Sequence, residues 1–262
     1  MIIDIHAHCF DDDIAKKAVP ILAKKANITA YTDGTISNLK RSMKDSGIDI
    51  SVIQSIATKA KQTPVINSWI ATIKDSNIIP FGTIHPEYKE WKEEIRKLVS
   101  IGIKGIKFHP DYQNFYVDDP NLFKIYEEIF NNNLIILFHA GIDIGLPKPC
   151  HCTPKRLRNV INIFRGATII AAHMGGYDCW DDVEKYLLGE EVYFDTSYTS
   201  HILKPSLMTK YIKEHGTNKI LFGTDSPWGN QSEEVEFIQS LPLTEEEKFD
   251  ILGGNAKKLL RL

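Results

Sequence analysis

The residues best placed to do chemistry appear at once, in the stretch "DIHAH". Side chains alternate along an extended strand, so His6 and His8 point to the same side. Two imidazoles aimed at one point offer neutral nitrogen to a divalent metal ion. The pair alone also fits two hydrogen-bonded histidines at an ordinary strand end, so the rest of the chain has to decide.

Ionisable residues recur where later apolar runs end. "GIKFHP" carries Lys107 and His109, "FHAG" carries His139, "AAHMGG" carries His173 and "GTDSPWG" carries Asp225. Gln54, His85, Asp195 and Ser197 close other runs, while His151 and His215 fall away from such an end. Ser, Thr or Asn would serve a plain strand end as well. Repeated histidine with an aspartate is instead a nitrogen and oxygen ligand set, which suits zinc. "PCHC" around His151 is a poorer metal signal, because C-x-C lacks a second matching pair. Cys9, Cys150, Cys152 and Cys179 read as reduced thiols.

Something must carry these residues to one place. The apolar runs are short and rich in β-branched residues, and a longer segment of helical spacing follows nearly every one. In "TPKRLRNVINIF" Thr153 is the expected N-cap and Pro154 the first helical residue, with Leu157, Val160, Ile161 and Phe164 on one face. Strands alternating with helices imply a parallel sheet with right-handed crossovers. Eight such units in 262 residues is the size of a (β/α)8 TIM barrel, expected here as one α/β domain over residues 1–262. An open doubly wound sheet is the other arrangement, but no G-x-G-x-x-G follows the first strand. Residues 9–35 are expected to lie over the barrel mouth as a loop or short helix. In a barrel the C-terminal strand ends share one rim, so polar residues far apart in sequence would meet there.

Composition narrows the remaining classes. The chain is 43% hydrophobic and 25% charged with a net charge of -3, the balance of a globular protein with no electrostatic case for nucleic acid. No apolar run reaches the roughly 18 residues of a membrane span, and the N-terminus lacks the pattern of a signal peptide. A cytoplasmic protein acting on a small molecule is expected, with self-association left open.

The ordered set of motifs resembles the metal-dependent amidohydrolase superfamily, in particular its amidohydrolase-related branch, which includes non-oxidative decarboxylases. "DIHAH", "GIKFHP", "FHAG", "AAHMGG" and "GTDSPWG" carry the resemblance, and "ILGGNAKKLLRL" looks like that branch's closing helix. The resemblance implies that His6, His8, His139 and Asp225 bind the metal, and that His173 faces the bound water or the substrate as acid, base or electrostatic partner. Asp225 would also take a proton from the water in hydrolytic members. Asp4, two residues before His6, could orient a ligand imidazole or simply fill the barrel interior.

Lys107 and His109 are open on this reading: a carboxylated lysine bridging two metals, or residues that contact substrate. One divalent ion, zinc, is the expectation, with a second through these two residues as the alternative. The expected activity is hydrolysis of an amide, ester or lactone by a metal-activated water. Two alternatives stand beside it: non-oxidative decarboxylation of an aromatic or unsaturated acid, and a barrel that binds metal or ligand without catalysis.

Overall fold

The computed structural model describes residues 1–262. Eight strands follow one another in sequence: β1 Ile3–Ala7, β2 Ile50–Gln54, β3 Ile78–Thr83, β4 Gly105–Phe108, β5 Ile135–Phe138, β6 Ile169–Ala171, β7 Tyr193–Asp195 and β8 Ile220–Leu221. They form one eight-stranded sheet in the order β1 to β8, with helices between them, so the fold is the expected (β/α)8 TIM barrel. No helix is long and apolar enough to cross a membrane. The residues group into two compact units, one of Met1–Ile53, Asp75–Ile79 and Phe194–Leu262, the other of Gln54–Lys74 and Pro80–Tyr193.

In the first unit β1 runs parallel to β2, with Ile3 opposite Ile50 and Asp4 opposite Ser51. The register then shifts before Ala7, which faces Ile53, so the irregularity falls beside His6. Such a shift re-aims the side chains at a strand end. The chain beyond β8 zips along the same strand. The Ile5 N–H donates to the Phe222 carbonyl at 2.8 Å, the Asp225 N–H to the His6 carbonyl at 2.7 Å, and the His8 N–H to the Ser226 carbonyl at 2.5 Å. Those backbone bonds bring Asp225 beside two residues more than two hundred positions earlier.

The closing segment fixes β8 from behind. Asn255 Nδ2 donates to the carbonyls of Thr217 and Ile220 at 2.8 and 2.9 Å. Gly253 is glycine for a steric reason, since a Cβ there would sit 2.3 Å from the Met1 carbonyl oxygen. Residues 9–35 hold more structure than a loop or short helix. Asp12–Ala26 is a helix of 15 residues whose first N–H groups are capped by Asp11, and an αL Asn27 ends it. The following stretch returns to the turn after β8, with the Tyr31 N–H donating to the Pro227 carbonyl at 2.7 Å.

In the second unit β4 pairs with β5 and β5 with β6, all parallel, with Lys107 opposite Leu137 and Phe138 opposite Ala171. Its core is aromatic: Phe108 stacks on Phe138 at 5.8 Å and meets Tyr126 edge-on at 5.7 Å. Full burial of each such ring contributes about 1.5–3 kcal/mol. Gly105 leaves room for Phe81, whose ring would lie 2.3 Å from an added Cβ. The helix Pro154–Ile163 begins as the sequence implies, with the Thr153 side chain accepting from the Arg156 N–H and Leu157, Val160 and Ile161 buried. Phe164 lies just past its end.

Candidate metal centre

The first unit gathers three donors. His6 Nε2 lies 3.2 Å from His8 Nε2, and Asp225 Oδ1 lies 3.0 Å from His8 Nε2 and 3.3 Å from His6 Nε2. Four ligands at about 2.0–2.1 Å from a tetrahedral zinc are themselves separated by about 3.3 Å. The three atoms therefore already stand as neighbouring ligands of one ion would, and all three residues are buried. Two ring nitrogens and a carboxylate oxygen at this spacing form a set that a divalent cation could hold together.

His6 is held from behind. Its Nδ1 lies 2.9 Å from Asp195 Oδ2 and 3.0 Å from the Ser197 hydroxyl. The carboxylate at Nδ1 favours the tautomer with the proton there, which turns the Nε2 lone pair toward the cluster. Asp4 does not perform this task. It accepts from the Thr224 hydroxyl at 2.6 Å, from Gln231 Nε2 at 3.0 Å and from the N–H groups of His6 and Thr224, each at 3.0 Å. Burial pushes its carboxyl up to about 7 despite those bonds. Of its two expected roles, Asp4 takes the interior one.

The second unit holds His109, His139 and Asp143, whose ligand atoms lie within 4.8 Å of one another. His109 Nε2 is 3.1 Å from Asp143 Oδ2, and the rings of His109 and His139 stack at 4.0 Å. His139 Nδ1 is 3.1 Å from His173 Nε2, while its own Nε2 is buried with no hydrogen-bond partner. A buried nitrogen without a partner costs on the order of 1–3 kcal/mol, so this atom too is suited to a metal. Burial, with His109 and His173 beside it, holds the His139 imidazole well below its ordinary value, and the ring stays neutral as a ligand must. Lys107 is 1% exposed on β4.

Two of these residues sit on unusual backbone. His173 and Asp225 have φ of 59° and 61°, a left-handed conformation that costs a non-glycine residue about 1–2 kcal/mol. The loop after β5 is pinned to the loop after β6 at Gly141, where a Cβ would meet the Tyr177 nitrogen at 2.1 Å. Sequence reasoning missed Asp143, which lies in that loop rather than at a strand end. It also missed Gln113, whose Nε2 donates to the Ala57 and Ile84 carbonyls while Oε1 accepts from the His109 N–H at 2.9 Å.

Other polar side chains near these loops make local contacts. Arg156 pairs with Asp118 at 2.6 Å and lies 4.2 Å from the Tyr116 ring centre, and Arg158 pairs with Glu190. Trp180 donates its indole N–H to the His173 carbonyl at 3.2 Å. All four cysteines are free thiols, as expected.

Comparison with known proteins follows the same lines. The amidohydrolase family pattern matches residues 3–262. No curated protein sequence matches the chain. Among solved structures, 5-carboxyvanillate decarboxylase from Sphingomonas paucimobilis superposes with a TM-score of 0.73 at 14% identity, covering 100% of this chain and 99% of that one. A 2,6-dihydroxybenzoate decarboxylase from Rhizobium gives 0.74 at 16% identity, over 99% and 98%. A dihydroxybenzoic acid decarboxylase from Polaromonas sp. JS666, with bound manganese and 2-nitroresorcinol, gives 0.73 at 15% identity, over 100% and 97%. At such identities the likeness speaks for the fold.

Proposed function

The chain belongs to the amidohydrolase family, and on that premise we propose that it is a metal-dependent, non-oxidative decarboxylase of an aromatic or unsaturated carboxylic acid. The observation that carries this reading over hydrolysis is the end-to-end superposition on decarboxylases of aromatic acids, one of which holds manganese. The donor set supports a divalent ion, which decarboxylation and hydrolysis would both use.

In the proposed centre His6, His8 and Asp225 hold one divalent ion, with His139 as the fourth donor that the family resemblance implies. Manganese and zinc both suit two or three imidazoles with a carboxylate. When bound, the ion would supply positive charge that holds and orients the anionic groups of the substrate. Loss of carbon dioxide leaves an electron pair on the ring or alkene carbon, and that carbon needs a proton. His173 and Asp225 are the two groups proposed to deliver it, the donor then regaining a proton from solvent. Asp195 keeps His6 in the tautomer that faces the ion. Lys107, as a buried ammonium, would bind an anionic group of the substrate; as a carboxylated lysine it would join a second ion with His109. Hydrolysis by an activated water uses the same donors and is the second reading.

A product assay separates them. Metal-loaded protein is incubated with a panel of hydroxybenzoates, vanillates and unsaturated diacids, and with aryl esters, lactones and amides. Carbon dioxide released without uptake of water is the expected result. Turnover confined to the esters, lactones or amides would overturn it in favour of hydrolysis.

A further inference from the structure

A recess in the first unit is used by none of the chemistry above. It encloses about 220 Å³ and is bordered by Tyr31, by Tyr198 and His201 after β7, and by Trp228, Glu233 and Glu234 beyond β8. The Trp228 N–H donates to the Asp225 carbonyl at 2.8 Å, so one tight turn separates the recess from the metal donors. Its volume is below the ~300–1,000 Å³ of pockets for drug-sized ligands, which suits a small molecule or one end of a larger one.

Glu234 is the informative residue. It is 2% exposed, its Oε1 accepts from the Ser200 hydroxyl at 2.8 Å, and its Oε2 is buried with no partner. No lysine or arginine borders the recess, and burial holds His201 below its ordinary value, toward the neutral ring. Burial also pushes the Glu234 carboxyl up to about 8, as expected where no cation compensates it. Three aromatic rings and two carboxyl groups around a space without positive charge are the complement of an organic cation.

We propose that this recess binds the primary ammonium group of a small amine, its N–H groups donating to Glu234 and its charge lying against the Trp228, Tyr31 and Tyr198 rings. A primary rather than a quaternary ammonium fits, because the carboxyl groups of Glu233 and Glu234 at the border accept from N–H donors. The inference concerns binding and stands apart from whether the metal centre decarboxylates or hydrolyses.

Calorimetry on the metal-loaded protein at about pH 9, where the Glu234 carboxyl is ionised and the amine is still charged, tests it, with phenethylammonium chloride as the probe and 2-phenylethanol and phenylacetate as uncharged and anionic counterparts. The amine is expected to bind at least about 10-fold tighter than either counterpart. Glu234→Gln keeps the Ser200 contact and is expected to weaken the amine at least about 10-fold, with Trp228→Leu weakening it as well. The His6→Ala/His8→Ala variant should bind the amine unchanged, which separates this site from the metal centre. Equal binding of amine and alcohol, preference for phenylacetate, or an amine affinity untouched by both pocket substitutions would overturn the proposal. So would absence of amine binding, leaving Glu234 as a buried acid hydrogen-bonded to Ser200.

Discussion

Asp195 Oδ2 lies 2.9 Å from Nδ1 of His6, and the two side chains are 0% and 1% exposed. A carboxylate behind a ligand imidazole fixes its tautomer and raises its basicity toward a metal. Asp195→Asn keeps an acceptor oxygen but removes the charge. Metal affinity, measured by competition with a chromogenic chelator, is expected to fall about 10–100-fold while the circular dichroism spectrum is unchanged. An unchanged affinity would mean that the pair only fills the barrel interior.

Metal content is the second prediction. Protein purified without added metal and without a histidine tag is expected to carry about one equivalent of zinc, manganese or another divalent ion by elemental analysis. His6→Ala/His8→Ala should abolish it, since both imidazoles and Asp225 converge on one point. Near two equivalents, with one lost on His109→Ala, would bring His109 and Asp143 into a second site. No metal, even after incubation with zinc or manganese, would sink the proposed chemistry.

These donors explain how much the sequence could disclose. Strand ends were legible because each apolar run stops abruptly at its polar residue, and His109 and His139 do follow β4 and β5 directly. Thr153 and Pro154 announced their helix through local capping chemistry, which needs no tertiary information. Asp195 was visible as a strand end, but its partnership with a residue 189 positions away was not. Asp143 and Gln113 sit in loops whose course depends on packing against other loops, so no periodic pattern marks them. The helix Asp12–Ala26 was hidden for a different reason: it carries a proline, Pro20, in its interior and only Ala15 and Val19 are buried, leaving a weak apolar stripe.

Glu234 gives a stability prediction with a definite sign. Its carboxyl is raised from 4.5 to about 8, first by burial, with Asp225 and Asp4 adding to the shift. Between those values the folded chain holds a proton that the unfolded chain has released, so stability falls as pH rises through that window. The penalty is absent below the lower value and complete above the upper one. Glu234→Gln cannot lose a proton. In urea titrations it should gain on the parent protein by on the order of 1 kcal/mol or more between about pH 5 and pH 9. A difference between the two proteins that does not vary with pH would show that the carboxyl titrates normally.

His173 is where the metal and proton-transfer roles can be pulled apart. Its Nε2 lies 3.1 Å from His139 Nδ1, and its backbone is held left-handed at φ 59°. A ring so fixed either moves a proton to the reacting carbon or only orients His139. His173→Gln retains a side chain able to hydrogen-bond to His139. If His173 transfers the proton, kcat should fall about 10²–10⁴-fold with metal content and KM little changed. The parent enzyme should also incorporate solvent deuterium at the carbon that lost carbon dioxide, and the variant's residual turnover should show a larger solvent isotope effect. If His173 only orients His139, the variant should lose metal affinity and kcat together, and saturating metal should restore most of the rate. That rescue would move the proton-transfer role to Asp225 alone.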